Sequence, residues 1–416
     1  MNTSIFENIE SNVRSYCRNF PTVFTKAKGS VMTAEDGKEY VDFFAGAGAL
    51  NFGHNPEAIN QKLIAYLQSD GIVHSMDMFT APKREFLEFF QANILAPRGL
   101  DYKIQFAGPT GTNAVEAAVK LARKVKGRQN IFAFMGAFHG MTMGALALTT
   151  DRCSREGAGQ ILPNVTHIPA PGMFPGLDTI EYMERLITDD HSGVEKPAAI
   201  ILETVQADGG INVFEAAWLQ QLRALCDRHD VLLITDDIQV GCGRTGTFFS
   251  FERAGIVPDI VTISKSIGGC GMPLALVLFK PELDIWEPGQ HTGTFRGNQL
   301  ALIAGKAGLE MFINDDLGSE VKRKEAMVRN FLETEVLPLD SRIQVRGIGL
   351  IWGVDFSGFD GDMTKPLINA CFKNGLIVER VGRNNNVVKL MPPLVVEDEI
   401  LMKGLQILRD SIKEIL

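Results

Sequence analysis

The sequence predicts an α/β fold: a large domain built on a mostly parallel sheet, joined to a smaller α/β domain drawn from both chain ends. Three observations lead there. Short apolar runs alternate with stretches of helical periodicity through the middle of the chain, several of those runs close on a polar or charged residue, and both termini follow a different pattern. Buried strands are expected at Ile104 to Ala107, Ile131 to Met135, Val165 to Pro169, Ala198 to Glu203, Val231 to Asp236, Ile260 to Ser264 and Leu274 to Phe279. Between them, Ala114 to Lys126 and Ala216 to His229 carry apolar residues at helical spacing. Strands covered by helices in this way place ligands beyond their carboxyl ends.

The flanks are read separately. Met1 to about Ala45 offers a helix and a hairpin turning at Glu35-Asp36-Gly37-Lys38. Near Gly318 to Lys322 a long charged helix begins, followed by a strand-like stretch from Gln344 to Phe356, a helix from Pro366 to Asn374 and a last helix from Glu397. The expected division is therefore 1–45 and 319–416 for the small domain and 46–318 for the large one.

Composition narrows the function. A chain of 416 residues can bury one large core and a second, smaller one. With a net charge of −9 it lacks the concentrated positive field that nucleic acid requires, so a small-molecule partner is expected and nucleic acid is not. The six cysteines lie far apart with no C-x-x-C, which argues against a disulfide scaffold or zinc ribbon and for free thiols in a reducing cytoplasm. Met1 to Arg18 mixes acids, bases and polar residues, so no secretory signal is expected there. No apolar run approaches the roughly 18 residues of a membrane helix.

Several motifs carry chemistry. Gly108-Pro109-Thr110-Gly111-Thr112-Asn113 follows a strand and opens a helix, so its amides and the helix dipole could hold a phosphate, with Thr112 adding a hydroxyl. A capped turn using Asn113 and Glu116 is the alternative. Phe138-His139-Gly140 also follows a strand, and an aromatic there could stack on a flat ring with His139 in support. Gly241-Cys242-Gly243-Arg244-Thr245-Gly246 fits G-x-G-x-x-G literally, but Phe248, Phe249 and Phe251 follow and no suitable acidic strand end exists, which disfavours a dinucleotide site. There is no H-E-x-x-H and no G-x-S-x-G, and no metal site is expected.

Two strand exits stand above the rest. Val231 to Asp236 ends on a carboxylate, followed by Asp237 and then Gln239, while Ile260 to Ser264 runs into Lys265 and the glycines 268, 269 and 271. Asp237 could be solvated, or the two adjacent acids could hold magnesium. A lysine leaving a buried strand is costly unless it is paired or covalently used. A carboxylate and a lysine so placed are what pyridoxal 5'-phosphate chemistry requires: the amine condenses with the cofactor aldehyde, and the carboxylate keeps a proton on the pyridine nitrogen.

Gly111-Thr112, Phe138-His139-Gly140, Glu203-Thr-Val-Gln206, Asp236-Asp-Ile-Gln239, Lys265 and Thr294 together resemble the class III, omega-amino-acid aminotransferases of the fold type I pyridoxal phosphate enzymes. The resemblance covers nearly the whole chain. Phe106 to Ala118, Thr235 to Phe251 and His291 to Asn298 look most like the branch that makes diaminobutyrate for ectoine synthesis. It implies an amino acid, a 2-oxo acid and a semialdehyde as substrates, and a homodimer or larger assembly with shared active sites. It also implies roles: Lys265 as catalytic amine, Asp236 on the pyridinium, Gln239 on the phenolic oxygen, Phe138 on the ring, Gly111 and Thr112 on the phosphate, and Thr294 on the partner's phosphate. His139 supports the cofactor, and Glu203 and Asp208 match two acids near the substrate.

Departures from the family pattern fall at the substrate-binding positions. Lys389 stands where relatives carry an arginine that pairs with the second acid, and lysine lacks the planar fork that grips a carboxylate at two points. Met141 and Ala47 replace residues that gamma-aminobutyrate and ornithine enzymes use, which weakens those assignments. Ala207-Asp208 stands where Gly-Glu is usual. Arg296, beside Thr294, is a candidate for carboxylate or intersubunit contacts.

Overall fold

The computed structural model describes residues 3–159 and 164–416. Seven strands form the central sheet in the order Lys103–Phe106, Leu276–Phe279, Ile260–Ile263, Leu232–Asp236, Ala199–Leu202, Ile131–Phe134, Val165–Ile168. All neighbours are parallel except Leu276–Phe279, which runs antiparallel to the strands on both its sides. The five inner strands are buried at every position, whereas the two edge strands are only partly so. That difference explains why the inner runs read as continuously apolar.

Alternate residues of each strand feed opposite layers, as the period of two demands. Phe132, Phe134, Ile200, Leu202, Leu233, Val261 and Ile263 enter one core. Their neighbours Ile131, Ala133, Ala199, Ile201, Leu232, Ile234 and Ile260 enter the other, where they meet Ala114, Ala118 and Leu121 of the helix Gly111–Lys126. Glu203 and Ser264, which the apolar runs include at their ends, lie just past the ladders, on the rim where ligands bind. Behind that rim packs the helix Gln299–Asn314, and a Cβ on its Gly305 would stand 2.4 Å from the Ile267 carbonyl. Only glycine lets the helix back onto the turn that carries Lys265.

The chain ends share a second core. Val31–Ala34 and Glu39–Asp42 form the expected hairpin, with Gly37 at φ +85° in its turn, and Leu376–Ile377 adds in parallel beside Glu39–Asp42. Val41 and Phe43 thereby pack with Val321, Trp352, Leu401 and Leu408. The stretch from Gln344 to Phe356 is two strands rather than one, Gln344–Ile348 and Ile351–Asp355, because the chain reverses at Gly349 with φ +55°. Val387–Leu390 and then Glu379–Val381 complete that sheet.

Candidate active site

Asp236 and Lys265 come together through strand register. Asp236 pairs with Thr262 across adjacent parallel strands, and Lys265 follows three residues after Thr262. The Asp236 carboxylate is buried, accepting hydrogen bonds from His139 Nδ1 at 2.7 Å, Thr262 Oγ1 at 3.1 Å and the Ile238 amide at 3.2 Å. Burial pulls the His139 imidazolium down, but the Asp236 bond and charge more than offset it, so its pKa lies above the ordinary value. Its Nε2 is buried without a partner among the described residues.

Lys265 has φ +56°, a left-handed conformation that a side chain rarely takes without functional cause. Its amine makes no hydrogen bond or ion pair among the described residues. Burial lowers its pKa, helped by the charge of Lys389 and opposed by Asp208, Glu379 and Asp236. An amine held this way is closer to its nucleophilic, neutral form at working pH than a surface lysine.

The helix Gly111–Lys126 starts after Thr110 with no side-chain cap, so its first amides are left without acceptors inside the helix. The alternative capping pair is not formed. Asn113 donates to Thr110 Oγ1, while Glu116 accepts from Thr142 Oγ1 and the Gly144 and Ala145 amides, serving the next helix, Met143–Leu148. Thr112 and Thr142 hydroxyls lie 2.6 Å apart. Ile238 packs under Gly111, where a Cβ would approach it to 2.9 Å. Phe138 is half-buried, and its amide donates to the buried Glu203, whose other oxygen accepts from the Ala207 amide. Burial pushes the Glu203 pKa up to about 7.

A second cluster centres on Lys389, which is fully buried. Its ammonium lies 2.9 Å from Asp208 Oδ1, 2.9 Å from Glu379 Oε2 and 3.1 Å from Gln239 Oε1, while Gln239 Nε2 donates to the Ala47 carbonyl at 3.2 Å. Lysine thus keeps the pairing with Asp208 that the missing arginine fork put in question. Glu379 is the direct cross-strand partner of Lys389, and Asp208 is fastened to the same hairpin by the Gly382 amide at 2.9 Å. Burial, together with the charge of Glu379, pushes the pKa of the Tyr16 hydroxyl up to about 12. Neither Glu379 nor Tyr16 belongs to a motif; the opposed charges of Glu379 and Lys389 on facing strands were the one readable trace.

Other named residues sit apart from Lys265. Met141 is exposed beside the 112–142 threonine contact. Thr294 is exposed and accepts from His74 through its carbonyl at 2.8 Å. Arg296 pairs with Asp77 and donates to the His291 carbonyl, so its guanidinium is engaged within its own chain. Asp237 is not solvated. It is buried with Ser250, whose amide and hydroxyl it accepts, and the burial pushes its pKa up to about 7. The 241–246 glycine loop opens no helix and instead buries Arg244 completely.

A fold type I sheet with a lysine and an aspartate at adjacent strand exits defines a transaminase-like site, and comparison with known proteins agrees. The model of the family described as Aminotransferase class-III matches residues 13–412, and the chain belongs to that family. It is 54% identical to a diaminobutyrate–2-oxoglutarate transaminase of Nocardia farcinica, over 99% of this chain and 94% of that one. An enzyme of the same name from Halalkalibacterium halodurans is 52% identical, over 99% and 96%. Among solved structures, a Bacillus anthracis aminotransferase superposes with a TM-score of 0.88 at 25% identity, covering 98% of this chain and 97% of that one.

The cofactor of such an enzyme is pyridoxal phosphate, and the residues present fit it. A buried, hydrogen-bonded carboxylate matches a protonated ring nitrogen, a helix start without a cap matches a phosphate, and an unpaired lysine amine matches an aldehyde.

Proposed function

We propose that this chain moves an amino group between L-glutamate/2-oxoglutarate and L-aspartate 4-semialdehyde/L-2,4-diaminobutyrate, as a homodimer in the cytoplasm. The observation that carries the reading is identity of 49% to 54% over nearly the full chain to relatives all bearing that activity in their names, joined to the Lys265–Asp236 geometry.

Bound pyridoxal phosphate supplies a carbonyl for the amino group and a protonated ring that draws electrons from the carbon losing its proton. Lys265 Nζ takes that proton and returns it at the neighbouring position. Asp236, fixed by His139 and Thr262, holds the ring-nitrogen proton. Gln239, set by Ala47 and Lys389, meets the phenolic oxygen, Phe138 covers the ring, and Gly111 and Thr112 bind the phosphate. The division at 1–45, 46–318 and 319–416 is supported by the change of core along one helix: Leu317 packs with the central sheet and Val321 with the terminal domain.

The dimer reading rests on an apolar surface. Phe79 is fully exposed, Phe295 is 65% exposed, and Ile72, Met78, Met141 and Met143 are exposed too. His74 and Thr294 tie the first of these segments to the second, which supports placing Thr294 on the same face. Light scattering is expected to give twice the 45.6 kDa chain mass, and the double change Phe79→Ser with Phe295→Ser to give the single mass. A wild-type monomer ends the dimer reading. For the reaction itself, the absorbance change of the loaded enzyme is followed with glutamate and with 2,4-diaminobutyrate. Both are expected to react, and a response to glutamate alone overturns the substrate assignment.

A further inference from the structure

The Lys389 cluster does not balance its charge. Lys389 faces two carboxylates, Asp208 and Glu379, and the amide of Gln239. The Tyr16 hydroxyl, held above its ordinary pKa by burial and Glu379, adds no positive charge. The other amine nearby is Lys265, whose charged form burial disfavours. The cluster therefore carries one negative charge in excess, and beside a fully buried Lys389 and a Glu379 side chain only 14% exposed, an excess charge so little hydrated favours a cation.

Glu379 is the source of that excess. A Lys389–Asp208 pair alone is neutral. The Glu379 Oε2 is closed to solvent and lies 2.9 Å from Lys389, yet off the hydrogen-bond direction. Lys389 uses one oxygen of each acid, and an ionised carboxylate has about four acceptor positions, so both retain capacity for another donor.

We propose that Glu379, acting with Asp208, is a specificity-determining residue that receives the second, non-reacting ammonium group of the substrate. This rests on the substrate reading above. 2,4-Diaminobutyrate would present its terminal amine to Lys265, with its α-ammonium three carbons away. Gln239, three residues after Asp236, accepts from Lys389 at 3.1 Å, so the two acids on Lys389 stand beside the exit of the strand that carries Asp236. 4-Aminobutyrate is the same molecule without the α-ammonium, and it isolates the term. Glutamate also has no second ammonium.

The test uses the cofactor-loaded enzyme with 2,4-diaminobutyrate, 4-aminobutyrate and glutamate as amino donors. Glu379→Gln keeps size but removes the charge. It is expected to raise KM for 2,4-diaminobutyrate about tenfold to a hundredfold, the range of one charge-assisted hydrogen bond. Its kcat should stay near wild type, and so should both constants for 4-aminobutyrate and glutamate. Glu379→Asp, keeping the charge, is expected to recover most of the loss. An unchanged preference for diaminobutyrate over 4-aminobutyrate in a folded Glu379→Gln enzyme overturns the proposal, and so does an equal loss with all three donors. Wild-type enzyme that reacts with glutamate but not with diaminobutyrate overturns instead the substrate reading beneath it.

Discussion

The two polar clusters of this molecule are built in opposite ways. The cofactor-side set, Asp236, His139, Glu203 and Lys265, lies at the ends of adjacent strands of one sheet. The set around Lys389 draws on Tyr16 of the N-terminal segment, Asp208 of the turn between Val205–Gln206 and Asn212–Val213, and the antiparallel partners Glu379 and Lys389. The first is fixed by the ladder hydrogen bonds of a sheet buried on both faces. The second exists only when separate parts of the chain are docked. In the proposed mechanism, chemistry common to every amino donor sits on the rigid element, and discrimination between donors sits where pieces meet.

Lys265→Ala tests the common part and has the largest expected effect, a loss of about 10⁴-fold or more in kcat. Asp236→Asn is expected to cost about 10²-fold, since a neutral amide still accepts hydrogen bonds but does not favour a charged ring. The comparison sharpens in the donor dependence. Both losses should be equal for glutamate and diaminobutyrate in single-turnover absorbance traces, because both donors pass the same atoms. A loss confined to one donor would show that the sheet-borne set also discriminates.

This division also decided what was legible. Asp236 and Lys265 were readable because a parallel strand announces its own carboxyl end, and a charged residue there has no structural excuse. The helix at Gly111 was readable from its apolar stripe. Glu379 was not, since its partner lies ten positions on, across a turn through Gly382 and Arg383–Asn385, and nothing local shows that the hairpin faces Lys265. The burial of Asp237 was not legible because its partner Ser250 lies thirteen residues away, at the start of a short 3-10 helix. Arg244 was hidden inside a glycine motif that pointed to a different chemistry.

Arg244 is the joint between the two regions, and breaking it is the next largest effect. It is fully buried with no carboxylate contact among the described residues, donating to the carbonyls of Leu350 and Pro392 and, at 2.5 Å, to Asn51 Oδ1. Burial brings its pKa down to about 9, so it stays charged at neutral pH. Arg244→Met keeps volume but leaves those acceptors unpaired. A destabilisation of about 3 kcal/mol is expected in denaturant unfolding. Loosened docking should also weaken binding of 2,4-diaminobutyrate more than it changes the Lys265-dependent step. Equal stability of variant and wild type would mean that the terminal domain is held by its apolar core alone.

The smallest effect concerns pH and belongs to the rigid side. Burial raises the Glu203 pKa from 4.5 to about 7 in the folded chain. Between those values the unfolded chain has released the proton while the folded chain retains it, so the folded state binds more protons and stability falls as pH rises. Below 4.5 both states are protonated and above about 7 both are ionised, so the contribution of this group is flat outside the window. Glu203→Gln carries no titrating proton, and its unfolding free energy should vary less steeply between pH 4.5 and 7 than that of the wild type. Asp237, raised to about 7 by its own burial, adds a slope of the same sign that the variant retains. A Glu203→Gln curve parallel to wild type across the window would place the Glu203 proton in bulk exchange at its ordinary pKa, and would mean that the Phe138 and Ala207 amides stabilise the ionised carboxylate enough to cancel the cost of burying it.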